Sequence, residues 1–344
     1  MGNTTIRILA RKLQLSTATV SKALTDSHEI SDATKKRVQA LAAELNYTPN
    51  PYASGLRNKK SRTIAMVLPE VADSFFAQVI DGVESIAQEK GYHVLIRLTH
   101  ENVPKEQAIL KDLGGGRVDG VLMSVSSDTT DPAAMIELQE KGIPLVFFDR
   151  RCEEIDTASV ITDDLESAYK ATLHLIQRKC RRIAFLSISP VLSISRARLE
   201  GYKKALSEAQ LVFRESDVVL CSSQDAALHH QTLKELMTRP DPPDGILATV
   251  EKLATSIYLV CQELQLKIPQ QVKIIGFSNL PAATVLNPSL TTVTQPAFEI
   301  GKAAASLLFK ALAGKGDALK KQQQVVPSTL VIRNSTGGPQ PTGR

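Results

Sequence analysis

Apolar residues in the first 48 positions recur at helical spacing in three short segments. They are Ile6, Leu9, Ala10 and Leu13 in the first segment, Val20 and Leu24 in the second, and Val38, Leu41, Ala42 and Leu45 in the third. Thr5, Ser16 and Ser31 stand just before these segments, where a hydroxyl side chain can cap the start of a helix. Only a few residues around positions 14–15 separate the first two predicted helices, and so short a turn is typical of a helix-turn-helix.

The pattern changes at Ile64. Short apolar runs then alternate with longer helical patterns, such as the one around residues 75–90. The runs are 64–68, 93–97, 118–123, 144–148, 182–187, 217–220, 244–249 and 272–277. Fully apolar strands that alternate with helices indicate parallel sheets covered on both faces. Roughly a dozen strands exceed one comfortable doubly wound domain, so we predict two similar lobes with a ligand cleft between them.

A linker is predicted between these two regions. Pro49 and Pro51 are followed by YASGLRNKKSR, which cannot bury a core of its own. One helical turn is expected there, from Tyr52 to Leu56.

Positive charge is concentrated at the N-terminal end of the chain. Residues 1–62 contain eleven Lys or Arg and four Asp or Glu, a net charge of +7, which leaves −2 for the rest of a chain whose total is +5. A basic head on a nearly neutral body indicates a polyanionic partner for the head alone.

Several classes of protein are disfavoured by their missing sequence signals. There is no signal-peptide pattern and no apolar run of bilayer length, so we expect no membrane association. The four cysteines lie far apart without a CxxC pair, which fits reduced, buried thiols in a cytoplasm better than disulfides or a zinc site. No GxGxxG, Walker, GxSxG or HExxH pattern occurs, and the adjacent His229 and His230 diverge on a helix. We therefore expect no catalytic residues, no metal and no cofactor.

The ordered set TIRILARKLQLSTATVSKAL, NYTPN and ASGLRNKK strongly resembles the lactose-repressor (LacI) family of bacterial regulators. The similarity continues through PLVFFDR, RIAFLS, RLEGYKKAL, VKIIGF, LTTVTQP and LVIRNST, so it covers nearly the whole chain. The resemblance implies an α/β protein with an N-terminal three-helix helix-turn-helix head and a hinge helix. A two-lobed, periplasmic-binding-protein-like core of doubly wound parallel sheets is expected to follow.

The resemblance also implies domain boundaries and partners. We expect the helix-turn-helix domain at 1–48, the hinge at 49–61, the N-lobe at 62–162 and 292–324, and the C-lobe at 163–291 and 325–338. The implied function is a cytoplasmic, nucleoid-associated transcription regulator, expected to be a repressor. It would bind pseudo-palindromic double-stranded operator DNA as a homodimer, because the residues after LVIRNST contain no leucine heptad for a tetramer.

Particular residues of the head match the family's DNA contacts. In this family the second helix enters the major groove, where Thr17, Ala18 and Lys22 would meet base edges, a thymine methyl and guanine O6/N7. The residues expected to bond phosphates are Thr5, Ser16, Thr19, Ser21, Ser31, Thr34, Tyr47 and Asn50. In the hinge, Leu56 is expected to wedge between central base pairs, with Ala53 beside it and a copy from a second subunit opposite.

The resemblance further implies a small-molecule effector in the interlobe cleft, with a carbohydrate-type ligand favoured. The matching positions are Phe75, Phe76, Ser124, Asp149, Arg196 and Arg198. Aromatic rings give stacking surfaces, while Asp149 and Arg198 offer directional bonds to hydroxyls or a polar ring. The effector is expected to change the angle between the lobes and so to change DNA affinity.

Two cleft positions depart from the family's pattern. Val250 and Glu251 stand where the family usually has Asn-Asp, and Ser278, followed by Asn279, stands where it usually has Asp. The groups lost at Val250 and Ser278 normally hold a sugar hydroxyl or a heterocycle, which disfavours an ordinary monosaccharide. The alternatives are a larger or less polar ligand, a nucleobase-like ligand, a partner protein, or no effector at all. A binding protein without DNA function would explain the body equally well, but not the basic head.

Overall fold

Helices form in the N-terminal part of the chain where the apolar spacing predicts them. The computed structural model describes residues 5–47, 61–221, 226–314, 319 and 322–338. It divides the chain into two units, Met1–Ser61 and Arg62–Arg344. The described part of the first unit contains α1 (Ile6–Leu13), α2 (Thr17–Leu24) and α3 (Asp32–Glu44).

The three helices of this head share one small core. Leu9, Val20, Ala23 and Val38 are fully buried in it. The turn between α1 and α2 is possible because Gln14 takes up a left-handed conformation with φ of 56° and ends α1. The apolar stripe and the short turn thus produce the predicted helix-turn-helix.

The second unit contains alternating strands and helices. Its strands are β1 (Thr63–Leu68), β2 (His93–Leu98), β3 (Gly120–Met123), β4 (Leu145–Phe148), β5 (Ser159–Ile161), β6 (Ile183–Ser187), β7 (Val218–Leu220), β8 (Gly245–Ala248), β9 (Lys273–Phe277), β10 (Thr291–Thr294), β11 (Gln323–Val325) and β12 (Thr329–Val331). Its helices are α4 (Ser74–Glu89), α5 (Val103–Leu113), α6 (Ala133–Glu140), α7 (Asp164–Gln177), α8 (Ser193–Glu208), α9 (Ala226–Met237), α10 (Glu251–Glu263) and α11 (Ala297–Leu312).

The strands form two six-stranded sheets, one for each lobe. Their orders are β11-β5-β4-β3-β1-β2 and β12-β10-β9-β8-β6-β7. The strand pairs are parallel, as predicted, except that β12 runs antiparallel to β10 at the edge of the second sheet. The predicted two-lobed α/β architecture is confirmed.

The described chain passes between the two sheets at 162–163, 295–296 and 326–328. The lobe boundaries themselves stay a prediction. The expected boundary at 292 falls inside β10, which pairs with β9 and β12 of the second sheet, so the C-lobe extends to 294. The boundary at 325 falls on the last residue of β11, which pairs with β5 of the first sheet. Both shifts have one cause, because an apolar run predicts a strand but not the sheet that it joins.

Helices α4 and α11 pack closely against one face of the first sheet. A Cβ atom on Gly82 would lie 2.1 Å from the carbonyl oxygen of Phe298, and one on Gly301 would lie 2.2 Å from that of Val79. Glycine at both positions lets the two helix backbones touch. This packing fixes the start of α4, which faces the cleft.

Candidate nucleic-acid interface and interlobe cleft

Helix α2 has one buried face and one solvent-exposed face. Val20 and Ala23 are fully buried, whereas Thr17 and Ala18 are exposed. The helix begins cleanly because Ser16 Oγ accepts the backbone N–H of Thr19 at 3.0 Å. The structure thus leaves the first two expected base-reading residues accessible to a groove.

Lys22, the third expected base-reading residue, has a partner within the head. Its ammonium group forms an ion pair with the carboxylate of Glu29, and both side chains remain partly exposed. Exposed ion pairs of this kind are weak, so a DNA base or phosphate can compete for the lysine.

The residues expected to bond phosphates divide into four groups. The hydroxyls of Ser16 and Ser31 cap α2 and α3, and each also contacts a threonine hydroxyl, of Thr19 at 2.8 Å and of Thr34 at 3.0 Å. Thr5 stands at the N-cap position of α1, but its side chain makes no capping hydrogen bond, so the predicted cap is wrong. Ser21 and Tyr47 are half-buried. Asn50, Ala53 and Leu56 lie outside the described residues.

Several positive side chains of α1 and α3 are open to solvent. Arg7, Arg11, Lys12, Lys36 and Arg37 are all exposed. Exposed cations and the N-terminal ends of helices both provide donors for the oxygens of a phosphate backbone, and the head has both.

The interlobe cleft is built from the carboxyl ends of strands in both lobes. A cavity of about 30 Å³ remains between them. Its lining includes Phe75, Phe76, Asp149, Arg198, Val250 and Ser278 from the expected effector residues. The volume holds about one water molecule, far below the several hundred Å³ of an ordinary small-molecule site. The protein's own side chains therefore fill this part of the cleft.

Arg198 is fixed by its own lobe. Its Nε lies 2.8 Å and its Nη2 2.7 Å from Asp164 Oδ1, and Nη1 donates to the carbonyl oxygen of Thr249. The guanidinium also lies 4.0 Å from the ring centroid of Phe277. These contacts orient the guanidinium rigidly at the edge of the cavity.

Asp149 and Arg150 line the cavity from the other lobe. Arg150 Nη1 donates to Glu101 at 2.9 Å, and its guanidinium lies 5.7 Å from the ring centroid of Phe76. Burial raises the pKa of Asp149 to about 6, although Arg150 and Arg198 act in the opposite direction. The backbone of Asp149 has φ of 59°, a conformation that Asp tolerates better than most residues and that is common near binding sites.

The two departures from the family's pattern are bonded to each other. Ser278 Oγ donates to Glu251 Oε2 at 2.8 Å, and Val250 is the N-cap residue of α10 that brings Glu251 into the cleft. Position 278 therefore keeps a polar contact, but its partner is the protein and not a ligand.

Two expected effector residues do not reach this cavity. Ser124 is fully buried at the end of β3 and is not among the residues that line it. Arg196 is exposed, bonds Glu153 at 2.6 Å, and lines a separate cavity of about 440 Å³ that also includes Asp149. Conversely, the structure brings Asp73, Arg150, Glu251 and Gln295 to the small cavity. The signal that could have indicated Arg150 is its place in LVFFDR, where two charged residues follow a fully apolar strand.

No metal centre is seen in the described ranges, where no group of three or more His, Cys, Asp or Glu side chains could hold an ion. The four cysteines are buried and form no disulfide. Burial raises the pKa of the thiols of Cys180 and Cys261 to about 12. None of the described helices is long and apolar enough to cross a membrane.

Comparison with known families gives two matches along the chain. Residues 5–50 match "Bacterial regulatory proteins, lacI family", and residues 172–336 match "Periplasmic binding protein-like domain". A basic helix-turn-helix head and a two-lobed core of this kind define a DNA-binding regulator.

Several named proteins are similar to this chain over almost its whole length. The chain is 30% identical over 331 residues to the ribose operon repressor of Haemophilus influenzae, covering 96% of this chain and 98% of that protein. It is 26% identical to the transcriptional regulator CelR in its cellobiose complex, with a TM-score of 0.72 and coverage of 97% and 100%. The lac repressor dimer bound to operator and the anti-inducer ONPF has the same fold, with a TM-score of 0.82, 22% identity and coverage of 97% and 99%. The chain belongs to the lacI family, and it is a DNA-binding transcriptional regulator and not an enzyme.

Proposed function

We propose that the chain represses transcription as a homodimer on a pseudo-palindromic operator, with α2 in the major groove. The exposed face of α2 carries this proposal, because Thr17, Ala18 and Lys22 are accessible while Val20 and Ala23 anchor the opposite face. The phosphate contacts at Ser16, Thr19, Ser21, Ser31, Thr34 and Tyr47, with Thr5 and Asn50, are part of it. The proposal also includes the insertion of Leu56, with Ala53 beside it, between central base pairs of the operator. It places the protein in the cytoplasm, associated with the nucleoid.

The DNA half is tested by comparing a base-reading residue with a phosphate-bonding one. An operator is first selected from a pool of random pseudo-palindromic duplexes, and binding is then measured by fluorescence anisotropy. We expect K22A to lose about 1–3 kcal/mol of discrimination against a substituted base pair, because the donor to guanine is gone. The matched variant S21A is expected to weaken binding uniformly across sequences.

Glu29 supplies a variant with the opposite expectation. E29Q removes the intramolecular partner of Lys22, so operator binding should tighten slightly. If K22A retained full discrimination while S21A altered it, the base-reading assignment on α2 would be wrong.

The sensing half of the proposal places a carbohydrate-type effector in the interlobe cleft. It is supported by the convergence of Phe75, Phe76, Asp149 and Arg198 on one cavity and by the cellobiose bound to a similar regulator. Because that cavity measures only about 30 Å³, a sugar can contact these four residues together only if the lobes separate. The neighbouring cavity at Asp149 and Arg196, of about 440 Å³, already has the volume of a small-molecule site. A change in the angle between the lobes is the motion that would alter DNA affinity.

A thermal-shift screen of sugars, nucleosides and sugar phosphates with the full chain tests this half. We expect at least one ligand to raise the melting temperature and to change operator affinity by about 5–150-fold, the usual range for coupled sites. If only nucleosides act, the effector is nucleobase-like. If no ligand acts on either measurement, the small-molecule proposal fails and a partner protein becomes the expected signal.

A further inference from the structure

A carboxylate of the protein itself joins the two lobes across the cleft. Glu251 is the first residue of α10 in the second lobe, and its Oε1 accepts the backbone N–H of Ser74 at 3.1 Å, at the start of α4 in the first lobe. Its Oε2 accepts Ser278 Oγ at 2.8 Å and the backbone N–H of Asn279 at 3.0 Å, both in the second lobe. Glu251 thus uses both carboxylate oxygens and bonds both lobes at once.

A second contact beside Glu251 holds the same two surfaces together. Asn279 Nδ2 donates to Gln78 Oε1 on α4 at 3.0 Å, and Gln78 Nε2 donates to the Asn279 carbonyl at 3.4 Å. The Asn279 amide is held in place because Nδ2 also donates to the Gln295 carbonyl at 2.7 Å and Oδ1 accepts the Gln295 N–H at 3.1 Å. The residues after β9 are therefore bonded to α4 by a side-chain pair as well as by Glu251.

The position of the carboxylate is the one that an effector group would take. Backbone N–H groups in the first turn of a helix have no partner within the helix and attract oxygen atoms of ligands. The N–H of Ser74 is such a group, it faces the cleft, and Glu251 already occupies it. With this bond in place, the cavity that Glu251 lines measures only about 30 Å³.

We propose that Glu251 is a built-in ligand of the cleft, which holds the lobes closed without an effector and which an entering effector must displace from Ser74. The second clause rests on the proposed effector function, whereas the closure itself does not. A molecule that displaces Glu251 must offer an acceptor to the Ser74 N–H and donors to the released carboxylate. A hydroxyl group does both, so Glu251 selects ligands that carry hydroxyl groups.

A simpler role for Glu251 makes a different prediction. A carboxylate in the first turn also stabilises its own helix through the helix dipole. If that were its only role, removing it would loosen the start of α10 and leave the start of α4 unchanged. Hydrogen exchange resolved to single amides distinguishes the two, because it reports on each helix start separately.

The experiment compares E251A with the wild-type chain in the absence of DNA and ligand. We expect the amide of Ser74 to exchange about tenfold faster or more in E251A, which corresponds to about 1.4 kcal/mol of lost closure. The matched control is E263A at the other end of α10, where the carboxylate is exposed and bonds only Lys234 and His230 of its own lobe. E263A should leave the exchange of Ser74 unchanged.

A charge-preserving variant covers the case in which E251A does not fold. E251D keeps a negative charge at the start of α10 but is one methylene shorter, so it too should release the amide of Ser74. The proposal is overturned if Ser74 exchanges at the wild-type rate in the variant, or if E263A accelerates it equally. If Ser74 exchanges rapidly in E251A but no effector acts in any assay, the proposal that Glu251 holds the lobes closed stands. Only the proposed effector function is then refuted.

Discussion

The carboxyl group of Asp73 is half-buried at the start of α4, where its Oδ1 accepts the N–H of Phe75 at 2.9 Å. Burial and the nearby Glu251 raise its pKa from 3.8 to about 7. Glu70 also raises this pKa, whereas the bond from Phe75 and the charge of Arg150 lower it. Asp73 therefore keeps its proton at pH values at which an exposed aspartate is ionised.

The stability of the core should depend on this proton. Because the pKa is higher in the folded than in the unfolded chain, the contribution of Asp73 is complete below about 3.8 and is lost as the pH rises to about 7. D73N has no proton to lose and keeps the helix cap. Relative to D73N, the wild type should lose at most about 1.4 kcal/mol of unfolding free energy per pH unit in this window.

Urea denaturation of both proteins across this pH range measures the difference. The buried His174, whose pKa burial lowers to about 4, is present in both proteins and cancels in the comparison. If the difference in unfolding free energy between wild type and D73N stays constant across this pH range, Asp73 is ionised in the folded chain throughout the range.

Some residues of the cleft could be predicted from the sequence and others could not. Phe75, Phe76, Asp149 and Arg198 line the cavity at positions that the resemblance implies, and their role toward a ligand stays a prediction. Glu251 was recognised only as a departure, because Ser74 lies 177 residues away from it along the chain. Hydrogen bonds between such distant residues depend on how the lobes close, which local patterns do not encode.

At the scale of elements, strands β1, β3, β4, β6, β8 and β9 were predictable because each is a short apolar run that is almost entirely buried. The assignment of β10 to the second sheet was not, because LTTVTQP has the same pattern whichever sheet it joins. The close pairing of α4 with α11 was also outside the reach of periodicity. It depends on Gly82 and Gly301, which remove two side chains from the contact.

The helix pair α4–α11 should be sensitive to one added methyl group. In G301A the new Cβ would lie 2.2 Å from the carbonyl oxygen of Val79, so the helices must move apart. We expect a loss of about 1–3 kcal/mol in the free energy of unfolding, as for other overpacked sites. Denaturant unfolding of G301A and of K302A, whose partly exposed side chain lies on the same helix, gives the comparison. Stability equal to that of K302A would show that the helices adjust without cost.

At the scale of the whole molecule, each sheet ends in a strand with an exposed apolar side chain. Ile96 of β2 and Leu220 of β7 are 39% and 45% exposed, and their strands end the two sheets at matching positions. Unprotected sheet edges of this kind favour association. We propose these edges as parts of the homodimer interface.

Charges placed on these edges should separate the dimer. We expect I96D to sediment as a monomer in analytical ultracentrifugation and to lose operator affinity, because two heads must engage a two-fold symmetric site. I136D is the matched control, since Ile136 is 43% exposed on α6, which packs against β4 away from the sheet edge. Equal sedimentation of I96D and wild type would place the interface elsewhere.

The hydrogen bond from Ser278 to Glu251 also makes the two positions epistatic. A substitution at 278 that removes the hydroxyl leaves a buried carboxylate with one donor fewer, and a substitution at 251 leaves a buried hydroxyl to be satisfied. The effect of either change then depends on the residue at the other position. To make this cleft bind a chosen effector, residues 251 and 278 must be varied together in one library. A scan of single positions would reject substitutions that are favourable only in combination.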